Sequence, residues 1–271
     1  DLVERSGAGC SAKVDLAAKS DAELAALHTH KSEWYVRMAR RLLQERAASR
    51  AIDAGALAAL RRQADDLKGE IPAQLRALWT LHVINKLDPG RLRQALVHPS
   101  EIVRAWSVQL GTERPTQLAL APDTLVRIAL DDPSPHVRLA IASAAPAFAL
   151  PSQFDIATAL ATRKEDAGDR FLPKMVWFAL APTVATNLPL ALDLAARTSL
   201  PTLTDSIHWF AARTAEGREQ IAARLNTLPE AAARHAVRVF AFSLESEAGL
   251  KMPEAWPNAA RRLSGAGDGA R

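Results

Sequence analysis

Two segments constrain what this chain can fold into. "HPSEIVRAWSVQL" begins at His98 and "DPSPHVRLAIASA" at Asp132. Both run Pro-Ser, two variable residues, then Val-Arg, which sets Arg104 and Arg138 34 residues apart. Self-similarity at such an interval marks an array of small units, each unable to bury its apolar face alone. Val36-Arg37 in "SEWYVRMARRLL" and Val237-Arg238 in "ARHAVRVFAFSL" belong to the same series. Arg37 lies 67 residues before Arg104 and Arg238 lies 100 after Arg138, about two and about three intervals. Degenerate members fill the gaps: "QLRALWTLHVI" with Leu75-Arg76, then "PKMVWFALAPTV" and "DSIHWFAARTA".

These segments carry apolar residues at i, i+3, i+4 and i+7, which lie on one face of a helix and do not fit strand alternation. Val103, Trp106, Ser107 and Leu110 follow the pattern, as do Val137, Ala140, Ile141 and Ala144. Val237, Phe240, Ala241 and Leu244 repeat it, and Leu75, Leu78, Trp79 and His82 do so with one polar exception. A second helical segment precedes each member, from "DAELAALHTH" and "GALAALRRQADDLKG" through "PDTLVRIALDDP" to "GREQIAARLNTLPE". Ser20, followed by Glu23, together with Ser32 and Ser100, are N-cap candidates, and prolines cluster between segments or at first turns. The spacing predicts an all-α fold, an α-solenoid of about seven helix hairpins over residues 21–263. Residues 1–20 are expected to be a linker or the end of a preceding domain, and 264–271 a flexible tail. Both ends lead us to expect a piece of something larger.

Composition agrees with helices. Apolar residues make up 48% and charged residues 24%, which excludes disorder for most of the chain, and the apolar share is mainly Ala and Leu. A net charge of +4, from 34 basic against 30 acidic residues, permits an anionic partner without demanding one. One cysteine, Cys10, excludes an intrachain disulfide and a Cys-rich metal site. The longest apolar stretch, "MVWFALAPTVA", is too short and proline-broken to span a bilayer.

The Val-Arg phase and unit length resemble HEAT repeats. That resemblance implies that Arg37, Arg104, Arg138 and Arg238 clamp one repeat to the next. Asp131 and Asp132 would serve Arg104 or Arg138, and Glu33 and Glu101 would stand in where the turns lack aspartate. Over most of the chain, segments such as "KSEWYVRMARRLLQERAA" and "HPSEIVRAWSVQLGTE" are similar to the HEAT segment of planctomycete-type membrane-bound dehydrogenase-like or haem-binding proteins. Those join a propeller, a HEAT segment and a c-type cytochrome domain, which implies export to the periplasm and a spacer role beside a redox enzyme. The chain has neither propeller nor Cys-x-x-Cys-His haem attachment, so no cofactor is assigned to any residue here.

Chemistry-bearing motifs are few. His28 and His30, at i and i+2, lack a third metal ligand at suitable spacing and read as turn or packing residues. "EDAGD" around Asp166 reads as a solvated acidic turn, because it lacks the alternating ligands of a calcium loop. Among the tryptophans, Trp79, Trp106 and Trp209 read as core, whereas adjacent Trp34 and Tyr35 cannot both face inward and mark a candidate interface. The expected partner is a protein or neighbouring domain, with apolar surface at one or both terminal repeats. The alternative is a nucleic-acid-binding solenoid of the HEAT-like DNA glycosylase kind, using Arg37, Arg40, Arg41, Arg46, Arg61 and Arg62 as a phosphate-facing stripe.

Overall fold

The computed structural model describes residues 15–114, 119–245, 247 and 249–265. Among them the protein is all helical, with fifteen α-helices and no strand. In order these are α1 (Asp21–Ala26), α2 (Glu33–Ser49), α3 (Ala54–Asp65), α4 (Ile71–Val83), α5 (Pro89–Ala95), α6 (Glu101–Thr112), α7 (Pro122–Asp131) and α8 (Pro135–Ala144). They continue with α9 (Leu150–Leu160), α10 (Leu172–Thr186), α11 (Leu188–Ala195), α12 (Pro201–Ala212), α13 (Ala215–Arg224), α14 (Glu230–Ser243) and α15 (Trp256–Gly265). Cys10 and most of the expected N-terminal linker lie outside the described residues.

Local chemistry sets the helix starts. The Ser20 hydroxyl accepts the Glu23 amide while the Glu23 carboxylate accepts the Ser20 amide, a reciprocal capping box that satisfies two orphan donors. Asp53, Asp88, Ser134, Asn187 and Thr214 cap α3, α5, α8, α11 and α13 with their side chains. Ser32 makes no such bond. Its own amide instead donates to Nδ1 of His30 at 3.0 Å. Proline occupies the first turn of α7, α9, α10, α11 and α12, where a missing N–H costs little.

The helix contacts divide the chain into two compact units, the first ending at Val103 and the second starting at Arg104. The sequence pattern places no boundary there. In the first unit α1 packs on α2 and α3, and α4 on α2 and α3. Leu24, Leu43, Leu60 and Leu81 form its dry centre. Full burial of each such leucine contributes roughly 1.5–3 kcal/mol. In the second unit α7 packs on α9, while α8, α10, α12 and α14 pack successively on one another. Helices α11 and α13 pack together against α12, and α15 against α13.

Helix α15 is not among the segments the apolar pattern marks. Ala259 is buried with Leu225, Ala233 and Ala236, and Trp256 stacks on Phe240 at 5.9 Å between ring centroids. The Glu219 carboxylate accepts the amides of Glu254 (2.7 Å) and Ala255 (2.9 Å), supplying the α15 N-terminus with an anionic cap. Its other face carries Asn258, Arg261 and Ser264, all exposed. Apolar surface expected at the terminal repeats is therefore not offered by this helix.

The stripe on α14 departs from its expected phase. Ala233, Ala236 and Phe240 are buried, whereas Val237 and Leu244 are half-buried and Ala241 is exposed. The packed face of α14 is turned about one residue toward the N-terminus relative to the Val-Arg register.

Candidate functional site

The arginines singled out by the repeat fall into two groups. Arg104 donates from Nε to Asp132 Oδ2 at 2.8 Å and from a terminal nitrogen to Oδ1 at 3.0 Å, a bidentate pair. Arg138 grips Asp166 in the same way, Nε to Oδ2 at 2.6 Å and Nη2 to Oδ1. Both pairs span 28 residues, and the two aspartates, like the two arginines, are 34 apart. Arg138 and Asp166 side chains are 1% and 2% exposed, so this pair is shut off from water. Arg138 also donates to the Asp132 main-chain carbonyl at 2.8 Å. Asp166 is thus a buried anion and not a solvated turn residue: the guanidinium offsets the cost of its burial. The nearby Arg104 guanidinium, with the Ser134 amide, holds the Asp132 carboxyl below the ordinary range against an opposing burial effect.

Arg37 and Arg238 make no such pair. Both are exposed, and neither contacts a carboxylate among the described residues. On α14 the cause is the rotated phase; on α2, Glu33 is drawn to Arg76 instead. Arg76 also donates to the His28 carbonyl at 3.0 Å.

A carboxylate hub in the first unit has no counterpart in the repeat pattern. Asp21, buried at the start of α1, accepts from Arg46 at 2.8 Å, from Arg50 at 2.7 Å and from the Asp53 amide at 3.0 Å. The Arg50 bond, ahead of the other two, drives its carboxyl far below the usual carboxylate range. Three helices are pinned at one point. Only the Asp-Ala-Glu start of α1 and the arginines ending α2 hint at it in the sequence.

The histidine pair does not converge. His28 is fully buried; its Nδ1 faces the Ala25 carbonyl at 3.1 Å and its Nε2 lies 2.5 Å from the Thr80 hydroxyl, which itself donates to the Arg76 carbonyl at 2.8 Å. Burial pushes its pKa down to about 4. His30 lies against Tyr35, ring centroids 4.5 Å apart. Among the described residues no group of three or more potential metal ligands occurs. Tyr35 packs on the first unit's core while Trp34 is 54% exposed, so the aromatic pair splits one in, one out.

Helices α10, α12 and α14 present a groove of about 490 Å³. Trp177 of α10, Asp205, Ser206 and Trp209 of α12, and Arg238 and Phe242 of α14 line it. Trp209, expected in the core, is 38% exposed and Phe242 is 65% exposed. The Arg213 guanidinium lies 5.1 Å from the Trp209 ring centre. His235 Nδ1 faces Arg238 at 3.4 Å, so Nε2 carries the hydrogen and donates to Asp205 at 2.5 Å. A second depression of about 630 Å³ lies between α6 and α8, with Trp106 and His136 on its walls.

The proposed phosphate-facing arginines are partly committed elsewhere. Arg41 pairs with Glu45 at 2.7 Å, and Arg46 belongs to the Asp21 hub. Arg40 sits 5.6 Å from the Trp79 ring centre, and Arg61 and Arg62 are exposed on α3.

The fold defines an all-helical protein built of packed neighbouring helices. Compared with protein-family profiles, curated proteins and solved structures, the chain matches none. No helix of the described residues is long and apolar enough to cross a membrane.

Proposed function

We propose that the chain is a HEAT-type α-solenoid of about seven hairpins serving as a non-catalytic protein-interaction scaffold. The reading rests on one observation above others: two bidentate arginine–aspartate pairs whose members recur 34 residues on. Side-by-side packing of alternate helices in each unit supports it, because that arrangement shares a core between neighbouring hairpins. By its resemblance to the HEAT segment of dehydrogenase-like proteins, the scaffold would act as a spacer within an exported redox protein, with haem carried elsewhere.

A nucleic-acid reading has one observation in its favour, the Arg40–Trp79 stack beside exposed Arg37. The two readings part in a single titration. A fluorescent 20-base-pair duplex at about 50 mM salt reports any phosphate-driven binding, which is strongest at low ionic strength. The scaffold reading expects no saturable binding. Micromolar binding that Arg37→Ala, Arg40→Ala and Arg41→Ala together abolish would replace it with the nucleic-acid reading.

A further inference from the structure

The groove on α10, α12 and α14 combines three features that together select a ligand. Its walls are aromatic: Trp177, Trp209 and Phe242 leave apolar surface open to water across three consecutive helices of one row. Its charges are uneven. The one carboxylate lining it, Asp205, is hydrogen-bonded to His235, whereas the one lining guanidinium, Arg238, meets no carboxylate among the described residues. Its volume of about 490 Å³ suits one or two large side chains and not a continuous strand of bases.

A cationic side chain would gain from the aromatic faces but would meet the Arg238 guanidinium, while the one lining carboxylate, Asp205, is already hydrogen-bonded to His235. An anionic group beside an apolar one has both needs met. We infer that this groove docks an acidic–hydrophobic peptide segment, with a carboxylate on Arg238 and an aromatic or aliphatic side chain between Trp209 and Phe242. This deepens the scaffold reading and rests on it, since it names the surface and the chemistry of the protein partner. Arg238 then does not clamp repeats. The same rotation of α14 that removes it from the interior aims it into the groove.

Competition with nucleic acid is decided by the same residues. Trp209 offers a stacking face, but the single guanidinium lining the groove does not track a phosphate backbone.

The test is selection of phage-displayed random dodecapeptides on the whole chain, followed by fluorescence anisotropy of the enriched sequences. Counter-selection uses Trp209→Ala and Arg238→Glu, both at exposed or part-exposed sites, with unchanged far-ultraviolet circular dichroism as the folding control. The expected result is enrichment of Asp or Glu next to Phe, Trp or Leu, and a loss of affinity of at least tenfold in either variant. Enriched peptides indifferent to both variants would overturn the groove and leave the scaffold reading standing. Recovery of no binder at all would count against both. Tighter binding of a ten-base oligothymidine than of the best peptide, lost in Trp209→Ala, would assign the groove to single-stranded nucleic acid instead.

Discussion

Buried charge is where single residues matter most. Removing one partner of a water-excluded ion pair strands the other, a loss of about 3–5 kcal/mol, whereas replacing both with apolar groups is often neutral. Arg138→Leu is therefore expected to lower the urea unfolding midpoint steeply, and adding Asp166→Leu to restore most of it. Arg238→Ala, at an exposed site, should shift stability by no more than about 0.5 kcal/mol. Equal effects of Arg138→Leu and Arg238→Ala would contradict the burial described. Histidine gives a pH signature. His28 and His208 are buried with pKa values pushed down to about 4, chiefly by desolvation. An unfolded histidine titrates near 6.5, so the unfolded chain binds more protons between those values. The stabilisation is fully present above about pH 6.5 and is lost as pH falls toward 4, by up to about 3 kcal/mol for each histidine. Urea titrations at pH 7, 5.5 and 4.5 read that slope, and His28→Gln should flatten it. An unaltered slope in His28→Gln would place the proton uptake elsewhere. Much of this was legible residue by residue. A step of 34 from Asp132 lands on Asp166, so the partner of Arg138 stands in the sequence in plain view. Only the assumption that an acidic turn is solvated hides it.

Helices carry the next level of information, and their boundaries were easier to read than their faces. Caps and prolines at fixed offsets mark most starts, because the chemistry that satisfies orphan amides is local. The side chosen for burial is not local. On α14, Phe240 belongs to both candidate stripes, and packing against α15 selects the one containing Ala233 and Ala236. Helix α15 itself begins "WPNAARRL", whose few apolar residues give little signal until Leu225 and Ala233 are seen to need a cover. The α12–α13 turn is tighter than its sequence suggests. A Cβ on Gly217 would lie 1.9 Å from the Ala211 carbonyl oxygen, so the two helices approach through a space only glycine leaves open. Gly217→Ala is expected to cost roughly 1–3 kcal/mol, the usual range for overpacking. A thermal melt of the variant within a degree of the parent would show that the turn can yield.

At the scale of the whole molecule, two compact units stand where the pattern marked a single run of hairpins. The repeat signal is strong around Arg104 and Arg138 and fades on either side, since Arg76 and Asp21 anchor the first unit through different partners. Charge was the weakest guide. The near balance of basic and acidic residues conceals that Arg41, Arg46, Arg91 and Arg224 are paired while Arg238 lines a groove. Net charge counts ions; only the fold says which remain open to a partner.

Asp132 meets Arg104 with its carboxylate and Arg138 with its main-chain carbonyl. Arg104, Asp132, Arg138 and Asp166 thus form one unbroken tether through the second unit, with a peptide group as its middle link. A pull along that row is borne partly by covalent backbone and not by side-chain contacts alone. Its wetter joint is Arg104–Asp132, whose arginine side chain is 13% exposed against 1% for Arg138. Water competes there first, so under load the row should part at that end while the Arg138 joint holds.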